Sequence, residues 1–151
     1  MTEITDDTTK KGKSVEYRIA SELLRYGFDV YVPLADVEGI DMIIKGKNSY
    51  VELQIKSRII KNDEDYFSIP NFEDKPNFFI ICHEITSNNF YAMPSIIFKR
   101  HCKEKTEQGR KKMFMTYKEI KFYGNSYAND DGIKILKKAI ENPENTLKKA
   151  K

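Results

Sequence analysis

The chain has only two cysteines, Cys82 and Cys102, no apolar run of membrane length, and no glycine-rich phosphate loop. Two thiols behind the polar opening MTEITDDTTKKGK read as reduced cysteines, not as a disulfide framework. That opening has no signal-peptide core, and no later segment approaches the roughly 20 apolar residues of a membrane helix. A cytoplasmic protein with no membrane partner is expected. Neither G-x-G-x-x-G nor a Walker loop occurs, so nucleotide-binding folds lose their usual support, and no G-x-S-x-G marks a nucleophilic serine. The Cys82-His83 and His101-Cys102 pairs lack the C-x-x-C or H-x-x-x-H spacing of zinc sites and read as buried strand and helix residues.

A strong charge of one sign is also missing. Lysine and arginine number 26 against 23 acids, a net charge of +3. The cations are nevertheless clustered: KKGK near the start, KRHCKEK and GRKK past the middle, LKKA twice near the end. Such clusters are most often solvated faces, and they also permit a polyanionic partner. A length of 151 residues fits one domain. Residues 1–9 read as a disordered tail, because they pair polarity with no hydrophobic period, and 10–151 as a single domain.

Periodic segments fill that domain. KSVEYRIASELLRY (13–26) spaces Val15, Ile19, Leu23 and Leu24 as a helix, with Gly27 as its stop. FDVYVPL, IDMIIKG and VELQIKS read as three strands, the last two joined by a hairpin at Lys47-Asn48. DYFSIP, the continuous apolar run NFFIICHEI, and FYAMP follow as strands; SIIFKRHCKEK is expected as a helix after Pro94, MFMTYKEI as a strand, and GIKILKKAI as an amphipathic helix. The order implies an α/β or α+β fold with one central mixed β-sheet flanked by helices.

Several polar residues sit where apolar ones are expected. On a wheel of about 100° per residue, Glu16 falls within the arc of Val15, Ile19, Ala20 and Leu23, aimed at the sheet, while Arg18 and Glu22 form an i,i+4 pair on the solvated side. Asp41 opens an apolar strand after Gly39-Ile40. In VELQIKS, Val51, Leu53 and Ile55 point to one face and Glu52, Gln54 and Lys56 to the other. A short turn joins the Asp41 and Gln54 strands, so Glu16, Asp41, Gln54 and Lys56 can meet at one end of the sheet. Mg²⁺ takes oxygen ligands, usually one or two carboxylates completed by water and phosphate oxygens, and this set meets that demand.

The run KGKSVEYRIASELLRYGFDV…GIDMIIKG…YVELQIKS, about residues 11–57, resembles the catalytic core of the PD-(D/E)xK, restriction-endonuclease-like nucleases. Its layout is similar to restriction-fold homing endonucleases and archaeal Holliday junction resolvases. Glu16 stands at the first-helix acid, Asp41 at the motif Asp, and Gln54-Ile55-Lys56 where the family has (D/E)-x-K. Two departures are plain: Ile40 replaces the Pro before Asp41, and Gln54 replaces an acid.

The resemblance implies an αβββαβ-type core and a Mg²⁺-dependent endonuclease acting on DNA, double-stranded for preference, with Mn²⁺ able to substitute. Asp41, Glu16 and the Ile55 carbonyl would hold the metal, Gln54 would add its amide oxygen, and Glu52 is a further candidate ligand, or else the partner of a lysine. Lys56 would orient the attacking water. Lys10, Lys11, Lys13, Ser57 and Arg58 would contact nucleic acid. A double-strand cut is most simply made by a homodimer or dimer of dimers. The alternative is a nucleic-acid-binding module on the same fold that no longer cleaves, for which Gln54 is the main support.

Overall fold

The computed structural model describes residues 8–35, 37 and 39–142. The first helix, α1 (Thr8–Arg25), begins five residues before the Lys13 expected from periodicity and takes in residues 8 and 9 of the expected tail; residues 1–7 lie outside the described structure. Gly27, at φ +89°, stops it, a conformation that costs glycine little. Three strands follow: β1 (Asp29–Tyr31), shorter than FDVYVPL suggested, β2 (Met42–Lys45) and β3 (Tyr50–Arg58). After β4 (Tyr66–Pro70) come β5 (Phe78–Glu84) and β6 (Phe90–Pro94), which leads directly into α2 (Ser95–His101).

The second half departs further from expectation. CKEK does not extend α2, because β7 (Lys103–Glu107) begins there and forms a hairpin with β8 (Arg110–Thr116). MFMTYKEI is not one strand. At Thr116 the chain turns into α3 (Tyr117–Tyr123), where the Thr116 hydroxyl accepts from the Glu119 N–H and the Glu119 carboxylate accepts from the Thr116 N–H, a reciprocal cap. A short 3-10 turn (Asn125–Tyr127) precedes α4 (Asn129–Glu141). Pro143 and the residues after it lie outside the described structure.

The strands form two sheets. A mixed five-stranded sheet has the order β1-β2-β3-β5-β6, with β3 and β5 parallel and the other neighbours antiparallel; an antiparallel sheet has the order β4-β8-β7. The crossover from β3 to β5 carries β4 where an αβββαβ order places a helix. Helices α1 and α4 cover one face of the large sheet, packing Ile19, Leu23, Ile133 and Leu136 on Leu53, Ile55, Phe79 and Ile81. On the other face, Phe78, Ile80 and Cys82 meet β4, β8, α2 and α3 through Phe67, Ile69, Met115, Phe98 and Ile120. Strand β5 is buried on both sides, which is why its sequence is continuously apolar. Among the described residues no helix is long and apolar enough to cross a membrane.

Candidate active site

Strand β3 changes partners along its length, and that change makes the site. From Tyr50 to Leu53 it pairs with β2, ending at Met42↔Leu53, whereas on its other edge it stays with β5 from Glu52 to Arg58. Past Leu53 the β2 edge of β3 therefore has no strand beside it. Asp41 fills the fork. Its N–H donates to the Leu53 carbonyl at 2.8 Å, and its Oδ2 accepts the Ile55 N–H at 2.7 Å. Gly39, at φ +79°, and the Ile40 N–H bonded to the Val37 carbonyl at 3.1 Å make the turn that delivers Asp41 there. In an extended strand the N–H and C=O of one residue point to the same edge, so the Ile55 carbonyl faces the Asp41 side.

The opposite faces of β3 sort as alternation requires. Val51, Leu53 and Ile55 are buried beneath α1 and α4. Glu52, Gln54 and Lys56 are in register with Phe78, Ile80 and Cys82, on the side of the second core. Gln54 is 7% exposed and lines a cleft of about 210 Å³ with Gly39, Ile40, Asn71, Glu73 and Lys75. Its amide makes no hydrogen bond among the described residues, so it is presented to that cleft. The Glu52 carboxylate is engaged by Lys75 Nζ at 2.8 Å. Lys75 is held in turn through its backbone: its N–H donates to Ser95 Oγ at 2.9 Å and its carbonyl accepts from the same hydroxyl at 2.8 Å.

Lys56 is half-buried and forms no ion pair or side-chain hydrogen bond among the described residues. The next residue is committed to the interior, since Ser57 Oγ lies 3.1 Å from His83 Nδ1. His83 Nε2 lies 2.8 Å from Asn88 Oδ1, an oxygen that can only accept, so Nε2 carries the proton and Nδ1 accepts from Ser57. Burial lowers the His83 pKa, with the Asn88 bond opposing, and the ring is neutral. Arg58 donates to the Tyr66 carbonyl at 2.6 Å.

Glu16 is partly buried on α1 and pairs with Lys13 Nζ at 3.2 Å, so a cation supplied by its own helix meets it. Arg18 reaches Asn88 Oδ1 at 3.5 Å, which sets this part of α1 over the end of the sheet where β3 finishes. The expected Arg18–Glu22 pair is not formed; Glu22 bonds Arg25 at 3.3 Å instead. Lys10 and Lys11 fall in the first turns of α1, and their side chains lie outside the described structure. The structure thus joins Asp41 to Ile55 at the fork and sets Gln54 beside the Gly39-Ile40 approach. Glu16, on α1, lies on the helix-covered face of the large sheet, and Gln54 and Lys56 lie on the other. Among the described residues no three His, Cys, Asp or Glu side chains cluster to hold a metal.

Comparison with known proteins bears on the fold. Residues 6–77 match the family model described as PD-(D/E)XK endonuclease. The bacterial homing endonuclease I-Ssp6803I superposes with a TM-score of 0.61 over 92% of this chain and 98% of its own, at 17% identity. The chain has the restriction-endonuclease-like fold. Hjc, a Holliday junction resolvase from the archaeal hyperthermophile Archaeoglobus fulgidus, superposes at 0.50 over 76% of this chain and 96% of its own, at 15% identity. No curated protein sequence matches the chain. The PD-(D/E)XK endonuclease match spans α1 to β4 and so contains Glu16, Asp41, Gln54 and Lys56, and it supports a nuclease-type function. It stops before β5 and before the β7–β8 hairpin.

Sequence reasoning missed the cleft wall from residues 71 to 75. NFEDK reads only as a polar loop between Pro70 and Pro76, and the Glu52–Lys75 pair spans 23 residues with no local signal.

Proposed function

We propose that the protein is a divalent-metal-dependent endonuclease that hydrolyses phosphodiester bonds in double-stranded DNA. The observation that carries this reading is the bond from the Ile55 N–H to Asp41 Oδ2, which fixes a carboxylate at the fork beside Gln54-Ile55-Lys56. The donors assigned to the ion in this reading are all hard oxygens: Asp41, the Ile55 carbonyl, the Gln54 amide oxygen, and Glu16 from the helix. Mg²⁺ needs only one or two carboxylates and completes its shell with water and phosphate, so a cluster of three acids is not required; Mn²⁺ suits the same set. Bound there, the ion would polarise the scissile phosphate and acidify a water.

The chain's own residues do the rest. Asp41 is oriented by Ile55, Lys56 brings an ammonium that no carboxylate among the described residues neutralises and so can hold the attacking water and offset charge on the phosphate, and Gln54 contributes an oxygen without a charge. Glu52 is neutralised by Lys75 and stands outside the ligand set while that pair is closed. Lys13 is committed to Glu16 and Ser57 to His83, which leaves Arg58 as the nearest described candidate for a flanking phosphate. Two cuts in a duplex imply paired subunits, a homodimer or dimer of dimers, acting in the cytoplasm.

Incubation of supercoiled plasmid and of branched DNA with Mg²⁺ tests the reading. The wild type should nick or linearise at least one substrate, and Lys56→Ala should not. Gln54 at an acid position favours a second reading, a DNA-binding module without cleavage, and absence of cutting with either Mg²⁺ or Mn²⁺ would select it.

A further inference from the structure

The three-stranded sheet has one face in the core and one that no helix or strand covers among the described residues. Phe67, Ile69 and Met115 point inward and are at most 1% exposed. By alternation, Tyr66 and Ser68 on β4, Phe114 and Lys112 on β8, and Lys103 and Lys105 on β7 point outward. Tyr66 and Phe114 stack edge to face at 5.6 Å, Lys105 Nζ lies 3.7 Å from the Tyr66 centroid, and the Arg58 guanidinium lies 5.3 Å from it. Arg58 is the last residue of β3, two beyond Lys56, so this face continues from the candidate active site.

The cations on this face outnumber the carboxylates that meet them: Lys105 and Lys112 share Glu107, and Lys103 pairs with Glu119 at 3.5 Å. Lys105 and Lys112 are directly opposite each other in the register, an arrangement that disfavours a sheet. Both lean on the one carboxylate of Glu107, at 4.0 and 3.1 Å, and Arg110, opposite Glu107 in the register, adds a further cation on the same side. Charged edge strands also guard against edge pairing, but that role needs neither opposed lysines nor rings beneath them. Strand β4 pairs as far as Pro70↔Lys112 and the Asn71 N–H reaches the Lys111 carbonyl at 3.5 Å, so the hairpin projects beyond β4 as a short two-stranded tip, the Glu107↔Arg110 rung closed by Gln108 and Gly109, both at positive φ.

We propose that the outer face of β4-β8-β7, with Arg58, is a docking surface for B-form DNA flanking the cut phosphate, and that the β7–β8 ribbon enters the major groove. The B-form groove admits a two-stranded ribbon, whereas the deep, narrow major groove of A-form RNA does not, and this selects DNA. Lys105, Lys112, Arg110 and Arg58 meet phosphates. The inference rests on the nuclease reading for its choice of partner, and binding measured without metal separates the two.

The test is fluorescence anisotropy of the full chain with a labelled duplex of about 30 base pairs in EDTA, across a salt series from about 50 to 300 mM. The triple variant Lys105→Gln, Lys112→Gln, Arg110→Gln should bind at least about tenfold more weakly, and the slope of log affinity against log salt should fall by roughly 2 to 3. Lys134→Gln with Lys138→Gln, on α4 across the large sheet, should leave both unchanged. Circular dichroism melting checks that each variant folds, and the single Lys112→Gln change gives a milder second variant. An unchanged slope in the triple variant, an equal loss in the α4 control, equal affinity for duplex RNA, or no binding by the wild type would each overturn the proposal. A duplex bound through this face but never cut would support it and overturn the nuclease reading.

Discussion

Asp41 Oδ2 accepts the backbone N–H of Ile55 at 2.7 Å, where β2 has ended and β3 runs on. One carboxylate therefore completes the backbone of the fork and stands as the candidate metal ligand. The two roles separate by substitution. Asp41→Asn keeps an acceptor for Ile55 and should fold nearly as the wild type does, while losing Mg²⁺-dependent cleavage. Asp41→Ala should also lose about 1–3 kcal/mol of stability, the cost of leaving a partly buried N–H unsatisfied. Urea denaturation and plasmid cleavage on the two variants read this out; equal stability of Asn and Ala would remove the structural role.

Lys75 holds the Glu52 carboxylate at 2.8 Å on the cleft side of β3, and Lys75 itself is well exposed. Lys75→Met should therefore cost little stability, under about 1 kcal/mol, because exposed pairs contribute weakly. The larger effect should be on the metal, since an unmasked Glu52 shares its face with Gln54. Calorimetric titration of Mn²⁺ should show tighter binding in Lys75→Met than in the wild type, and Glu52→Gln in that background should abolish the gain. No change in Mn²⁺ affinity would mean Glu52 cannot reach the ion.

His83 is fully buried between Ser57 and Asn88, and burial holds its pKa below the ordinary histidine value. Below about pH 6.5 the unfolded chain takes a proton that the folded chain refuses. Stability is therefore fully present above that pH and declines as pH falls toward the folded pKa. Thermal melts between pH 8 and 5.5, values chosen to span about one unit or more on either side of 6.5, should show this decline, and His83→Gln should flatten it. An equal slope in the variant would assign the decline to other groups.

Much of the half that carries the candidate site was legible because each signal there is local. The alternation in VELQIKS placed Glu52, Gln54 and Lys56 on one face, and the unbroken NFFIICHEI run marked a strand buried on both sides. The second sheet was not legible. Strand β7 reads KEKTE, with no apolar alternation, since it is an edge with one solvated face and its pairing is decided by β8. In MFMTYKEI the hydrophobic run crosses a strand–helix boundary, and the marker was the Thr116…Glu119 capping pair within it. The wheel aims Glu16 at the sheet, whereas the cation that meets it, Lys13, lies three residues back on the same helix.

Gln54 lines the cleft beside the fork and Glu16 stands on α1, on the other face of the sheet, and their relation to one ion is the sharpest test of the proposed site. If both are ligands, Gln54→Glu adds a carboxylate and should tighten Mg²⁺ or Mn²⁺ binding, because hard cations respond to ligand charge and number. Glu16→Gln should weaken it and remove the ion pair with Lys13. The double change moves a charge from one ligand to the other, so it should recover part of what Glu16→Gln lost, and the four affinities give a coupling energy outside the about 0.3–0.5 kcal/mol within which independent sites add. Cleavage by Gln54→Glu should persist with altered preference between the two metals. Additive effects would mean that Gln54 and Glu16 do not share an ion. Gln54 would then serve the cleft it lines with Glu73 and Lys75, and Asp41 with the Ile55 carbonyl would carry the metal alone.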